Sequence, residues 1–186
     1  LGRTLACGEM DQIEVSHGEI IDEKAYFNVI RQKTASLFIA CMHIGALTSG
    51  MSPEQTSAVK GFGERLGLCF QIKDDIFDYF AAGEIGKPTR SDLSEGKVTL
   101  PLIYALTHTE GSRCAEMKSL VAKPELSKDE ISRLVAFAVE NGGIEYAEKV
   151  MEQLRDEARR YLEPFFPSPA AESLMSVFDY TISRAK

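Results

Sequence analysis

Val, Ile and Phe residues recur at three- and four-residue spacing along this chain, and no segment sustains the two-residue alternation of a half-buried strand. Side chains spaced this way leave water only when amphipathic helices pack on one another, so the fold class is all-α. Local punctuation sets the boundaries. A first helix covers roughly residues 1–16 and a second about 22–48. "SGMSPE" interrupts the pattern, with Ser52 placed to cap and Pro53 at the first position of a helix reaching about Phe80. "AAGEIGKPTRSDLSEGK", residues 81–97, is rich in glycine, proline and charge and reads as a loop. A helix resumes near Thr99 and ends about His108, with Pro101 tolerable in its first turn. After a loop around Lys123 and Pro124, "SKDE" (Ser127 to Glu130) has the spacing of a capping box, and "NGG" (Asn141 to Gly143) ends that helix. A long amphipathic helix over Ile144 to Leu162 is broken by "PFFPSP", and a last helix runs from about Pro169 to Arg184. With 186 residues and no internal repeat, one domain is expected.

Charge and cysteine usage narrow the function. A net charge of −7 argues against nucleic acid or an anionic membrane as general partner, since both are polyanions. No apolar run approaches the ~18 residues of a membrane span. Cys7, Cys41, Cys69 and Cys114 are widely separated and form no C-x-x-C, so neither zinc nor a disulfide framework is indicated and a reducing cytoplasm is expected. His17, His43 and His108 share no metal-ligand spacing and read as surface or core residues.

"FQIKDDIFDYF", Phe70 to Phe80, places Asp74, Asp75 and Asp78 inside a helix, where aspartate is a mediocre former and like charges one turn apart repel. At 100° per residue these three and Gln71 fall within an arc of about 100°. Gly63 and Gly67 lie on the same side, and Phe62, Leu66, Cys69, Ile72 and Ile76 point the other way. The pattern predicts one packed side and one side offering carboxylates over a floor kept bare by glycine. Clustered carboxylates become favourable when a divalent cation neutralises them, and Mg²⁺ typically takes one or two carboxylates plus phosphate oxygens and waters. A solvated acidic face is the plainer reading of such a motif alone.

Basic residues bear on that choice. Lys33, beside Thr34, falls in line with Ile30, Leu37, Ala40 and Ile44, on what reads as an apolar stripe. An ammonium there needs a partner or must snorkel to water. Lys87 and Lys97 lie in the loop that follows the aspartates and could fold back over them. Acidic and basic groups around one cavity suit a metal-bridged diphosphate.

Five stretches together resemble the trans-type (E)-polyprenyl diphosphate synthases: "GEMDQ" (8–12), "KTASLF" (33–38), "GLCFQIKDDIFD" (67–78), "GKPTRSDLSEGKVTLPLIYAL" (86–106) and "SLMSVFDYTISRAK" (173–186). "FQIKDDIFD" is similar to the family's second aspartate-rich motif. The resemblance implies a helical bundle around a central cavity, of which 1–186 would be the C-terminal part, with upstream helices missing. It implies Mg²⁺-dependent, head-to-tail condensation of an allylic prenyl diphosphate with isopentenyl diphosphate, toward a medium or long polyprenyl product. Carried over by residue, Asp74 would ligate magnesium directly, Asp78 directly or through water, and Asp75 would support both. Lys33, Thr34, Gln71, Lys87 and Lys97 would bind the allylic diphosphate, with Lys33, Thr34, Gln71 and Lys87 counted as catalytic. Phe70 would lie near the isopentenyl site, and Glu9 and Gln12 would line the cavity. A homodimer is implied as well. The family's first aspartate motif would lie upstream of Leu1, so these 186 residues alone are expected to be inactive.

Three other readings compete. A class I terpene cyclase also uses aspartate-bound magnesium, but its usual second metal motif is absent. A non-catalytic subunit or scaffold of a prenyl synthase would be expected to lose the aspartates or lysines kept here. In a plain helical interaction module the charges would be surface decoration.

Overall fold

Wherever the apolar period runs unbroken, a helix forms. The computed structural model describes residues 1–15, 22–80 and 91–185, and among these there is no strand. The helices are α1 (Gly2–Val15), α2 (Glu23–Ile30), α3 (Ser36–Thr48), α4 (Pro53–Tyr79), α5 (Ser91–Ser94), α6 (Leu100–His108), α7 (Ser112–Val121), α8 (Lys128–Glu140), α9 (Gly143–Leu162) and α10 (Pro169–Ser183). The chain divides into two compact units. One comprises Leu1–Glu9, Asn28–Lys73 and Lys149–Lys186, the other Met10–Phe27 and Asp74–Glu148.

Three local features depart from the sequence reading. The helix expected over 22–48 is interrupted by a π-turn, Arg31–Ala35, in which the Ser36 amide donates to the Arg31 carbonyl five residues back. No glycine or proline marks it. Residues 112–121, to which the sequence reading assigned no element, form α7, with Cys114, Met117, Leu120 and Val121 buried along one face. The short helix α5 lies inside the loop expected over 81–97.

In the first unit, Phe62 of α4 meets Phe178 of α10 edge to face at 6.1 Å, and both are fully buried. Small residues set how closely helices approach here. A Cβ on Gly67 would lie 2.5 Å from Ala35 Cα and 2.8 Å from its Cβ, and one on Gly63 would lie 3.0 Å from the Phe38 carbonyl oxygen. These glycines therefore let α4 press against the π-turn and α3. They are not an open floor beneath the carboxylates, because the absent Cβ atoms are replaced by a neighbouring backbone.

In the second unit α6 packs on α7 and α8, and Leu102, Ile103, Leu106, Leu134 and Phe137 of α6 and α8 are buried. The Tyr104 ring stacks on His108 and on Tyr146, each at 4.2 Å, and Tyr146 donates to Glu23 at 2.9 Å. Gly142 leaves α8 at φ +74°, the left-handed conformation of a helix end.

Both expected N-caps form. The Gln55 amide donates to Ser52 Oγ at 3.2 Å and the Ser52 amide to Gln55 Oε1 at 3.0 Å. At α8 the Glu130 amide donates to Ser127 Oγ at 3.3 Å, and the Ser127 amide to Glu130 Oε2 at 2.8 Å. Ser127→Ala is expected to cost about 1 kcal/mol, read as a lower urea midpoint at unchanged slope. The hydrogen bond from Lys123, then those from Ser127, pull the Glu130 carboxyl down to about 2. The folded value lies below the unfolded one, so this contribution is complete above the ordinary carboxylate range and is lost as pH falls toward 2.

Candidate active site

Lys33 and Thr34 sit within the π-turn, a feature that recurs at functional positions in helices. Thr34 Oγ1 donates to Gln71 Oε1 at 2.6 Å, so two residues that the sequence grouped by resemblance are brought together. Lys33 Nζ pairs with Glu9 Oε2 at 2.8 Å, and the lysine side chain is 36% exposed. The apolar stripe assigned to Lys33 does not hold: Ile30 is buried, but Leu37 and Ile44 are 51% and 62% exposed. A uniform 100° count carried through the π-turn loses phase there, because that turn holds an extra residue.

Phe70 lies against Phe38 at 5.5 Å between ring centroids, and the Arg184 guanidinium stands 4.4 Å over its ring. Arg184 Nη2 also donates to the Phe70 carbonyl at 3.2 Å. Sequence reasoning quoted the segment holding Arg184 but gave the residue no role. Gln12 is half-buried on α1.

The three aspartates of α4 occupy different environments. Asp74 and Asp78 are half-buried, one turn apart on one face. Asp75 is 3% exposed, and the Tyr26 hydroxyl donates to its Oδ2 at 2.6 Å. The expected open acidic side therefore excludes Asp75: a β-carbon only 100° from its neighbours is enough to turn it into the packed interior. Burial first, then the Asp75 carboxylate, push the Tyr26 phenol well above its usual range, so it stays a donor at physiological pH. One turn on, Tyr79 shares a buried hydrogen bond with Thr99 at 2.9 Å.

The segment after α4 supplies further polar groups. The Asp92 amide donates to Asp78 Oδ2 at 3.1 Å. Lys97 pairs with Asp92 at 3.3 Å and with Glu95 at 2.5 Å. Burial raises the Asp92 carboxyl, Lys97 opposes that shift, and Asp78 adds to it. Burial works against the Lys97 ammonium, but the Glu95 and Asp92 hydrogen bonds and charges outweigh it and hold the group above its ordinary value. Tyr26 and Asp92 were missed by sequence reasoning. Asp92 stands in the quoted "SDLSEGK", whereas nothing local singles out a tyrosine 49 residues from its partner. Lys87 falls outside the described residues.

Among the described residues no three His, Cys, Asp or Glu side chains assemble into a complete metal cage. The donors on hand do fit magnesium in another way. Asp74 and Asp78 are two oxygen-donor carboxylates on one helix face, the number magnesium takes when phosphate and water complete its shell.

A family model described as polyprenyl synthetase matches residues 2–138. The chain is 31% identical to the nonaprenyl diphosphate synthase of Mycobacterium tuberculosis, over 97% of this chain and 54% of that protein. Its fold superposes on the geranylgeranyl pyrophosphate synthase of Bacteroides thetaiotaomicron with a TM-score of 0.90 and 41% identity, covering 98% of this chain and 61% of that one. A polyprenyl synthase from Caulobacter crescentus CB15, complexed with calcium and isoprenyl diphosphate, gives a TM-score of 0.89 at 30% identity, over 99% and 56%. The chain spans about half the length of the curated relatives it matches.

Proposed function

Because the chain belongs to the polyprenyl synthetase family, we propose that it serves a prenyl diphosphate synthase that joins an allylic diphosphate head to tail with isopentenyl diphosphate. In that reaction the allylic carbon–oxygen bond breaks, diphosphate leaves, the isopentenyl double bond forms the new carbon–carbon bond, and a proton is lost. The observation that carries the reading is the polar set on α4 and the π-turn: the Thr34–Gln71 hydrogen bond, with Asp74 and Asp78 further along α4.

In this reading Lys33, Thr34 and Gln71 bind the allylic diphosphate, joined by Lys87 and Lys97. Lys33 already holds one anionic oxygen, that of Glu9, across a half-exposed pair. Exchanging it for a phosphate oxygen trades one charge-assisted bond for another and costs little. The Thr34 hydroxyl gives its one proton to Gln71, so the pair holds Gln71 in place beforehand and Thr34 meets a phosphate oxygen by exchanging that bond for a new one. Asp74 and Asp78 hold Mg²⁺, and Asp75 supports them. When bound, magnesium supplies Lewis-acid assistance to the departing diphosphate. Phe70, braced by Phe38 and Arg184, presents an apolar ring near the isopentenyl group. All four cysteines are free thiols, which suits work in a reducing cytoplasm. Exposed Leu37, Ile44 and Leu47 support a homodimer as the working form.

Calorimetric titration of the chain with inorganic pyrophosphate tests the reading. Binding is expected to require Mg²⁺ and to weaken at least about tenfold in Asp74→Ala. Equal affinity in EDTA, or indifference to Asp74→Ala, would overturn it.

A further inference from the structure

Tyr26 carries a buried phenol that the roles above leave unused. It stands on α2, 5% exposed, and its hydroxyl reaches Asp75 Oδ2 at 2.6 Å. That distance is in the range of a charge-assisted O–H···O⁻ bond. Asp75 is itself 3% exposed, so its carboxylate depends on the donors that meet it inside the protein. A helix gripped in this way cannot roll about its axis without withdrawing Asp75 from the phenol. The roll angle in turn decides what the neighbouring positions offer. With Asp75 held inward, Asp74 and Asp78, at i and i+4, share the adjacent face.

We propose that Tyr26 is a positioning residue for the cation-binding turn: its hydroxyl holds Asp75 inward and so fixes the rotation of α4 at which Asp74 and Asp78 are presented to a divalent cation. The inference rests on the functional reading above and deepens it. It gives the middle aspartate a structural task distinct from that of its two neighbours, and it gives the tyrosine a task beyond filling the core.

The test uses Mn²⁺ as the probe, titrated into the chain by electron paramagnetic resonance with inorganic pyrophosphate present, alongside thermal unfolding of each variant. Tyr26→Phe keeps the ring and removes the hydroxyl, and it is expected to weaken Mn²⁺ binding about tenfold. Tyr79→Phe removes a comparably buried hydroxyl, the one bonded to Thr99, and is expected to lower the unfolding temperature without moving Mn²⁺ affinity. Asp75→Asn keeps an acceptor oxygen for Tyr26 and is expected to lose much less affinity than Asp74→Asn. Unchanged affinity in Tyr26→Phe, or a loss in Asp75→Asn as large as in Asp74→Asn, would overturn the inference while leaving the functional reading standing. An unaltered chain that binds no Mn²⁺ with pyrophosphate would instead overturn the functional reading, and this inference with it.

Discussion

Gly67→Ala is expected to lower stability by about 2 kcal/mol and to weaken magnesium pyrophosphate binding at least about tenfold. The position is helical and exacts no unusual backbone angle, so in isolation alanine would be the better residue there. The effect comes from across the interface. The added carbon would lie 2.5 Å from Ala35 Cα, 2.8 Å from Ala35 Cβ and 3.0 Å from Phe38 Cδ2. Ala35 Cα belongs to the main chain that ends the π-turn, so relief requires the two helices to part. Parting them lengthens the 2.6 Å bond between Thr34 and Gln71, one residue before Ala35 and one turn after Gly67. Stability and affinity should therefore fall together. Adding Ala35→Gly takes away the methyl group on the far side but leaves the main chain of residue 35 in the way, so the double variant should recover only part of each loss. A Gly67→Ala protein that keeps its urea midpoint and its calorimetric affinity would contradict the helix approach described above.

Gly143→Ala should cost about 3 kcal/mol and leave the identity of the bound diphosphate untouched. Here the collision is with main chain alone. A Cβ would overlap the Pro101 carbonyl oxygen and lie 2.8 Å from the Pro101 carbonyl carbon and 2.9 Å from the Ala138 oxygen. Neither α6 nor α8 can yield by changing a rotamer, and Pro101 and Ala138 are both buried. Equilibrium unfolding in urea measures the loss, and a midpoint within error of the parent would refute the expected clash.

How much of this was legible beforehand varied with the range of the interaction concerned. Caps and helix ends were readable because they are local: Ser127 and Glu130 are three residues apart, and Gly142 needs only its own φ. The all-α class followed from periodicity, and so would α7 have, since Cys114, Met117, Leu120 and Val121 carry a helical spacing of their own. What escaped was whatever depends on a partner far along the chain. Gly63 and Gly67 share a side with the aspartates and were assigned to an open floor. Only the approach of Ala35 and Phe38 reveals them as points where helices touch. Asp75 looks equivalent to Asp74 in sequence, and the Tyr26 phenol separates them. Lys33 was placed on a stripe by a count that assumed 3.6 residues per turn, and Arg31–Ala35 do not obey it.

That π-turn has a consequence for how variation can act on the protein. A substitution anywhere in Arg31–Ala35 alters a side chain but not the number of residues in the turn, so point changes leave the register of the flanking helices alone. Losing one codon there would remove the residue that the turn holds in excess and regularise it, so the flanking helices would keep their phase while the side chains inside the turn move by one position. A one-residue deletion in the segment bearing Lys33 and Thr34 would thus spare the packing on either side and displace those two side chains, an outcome that a deletion-scanning library would expose where a substitution library passes it by.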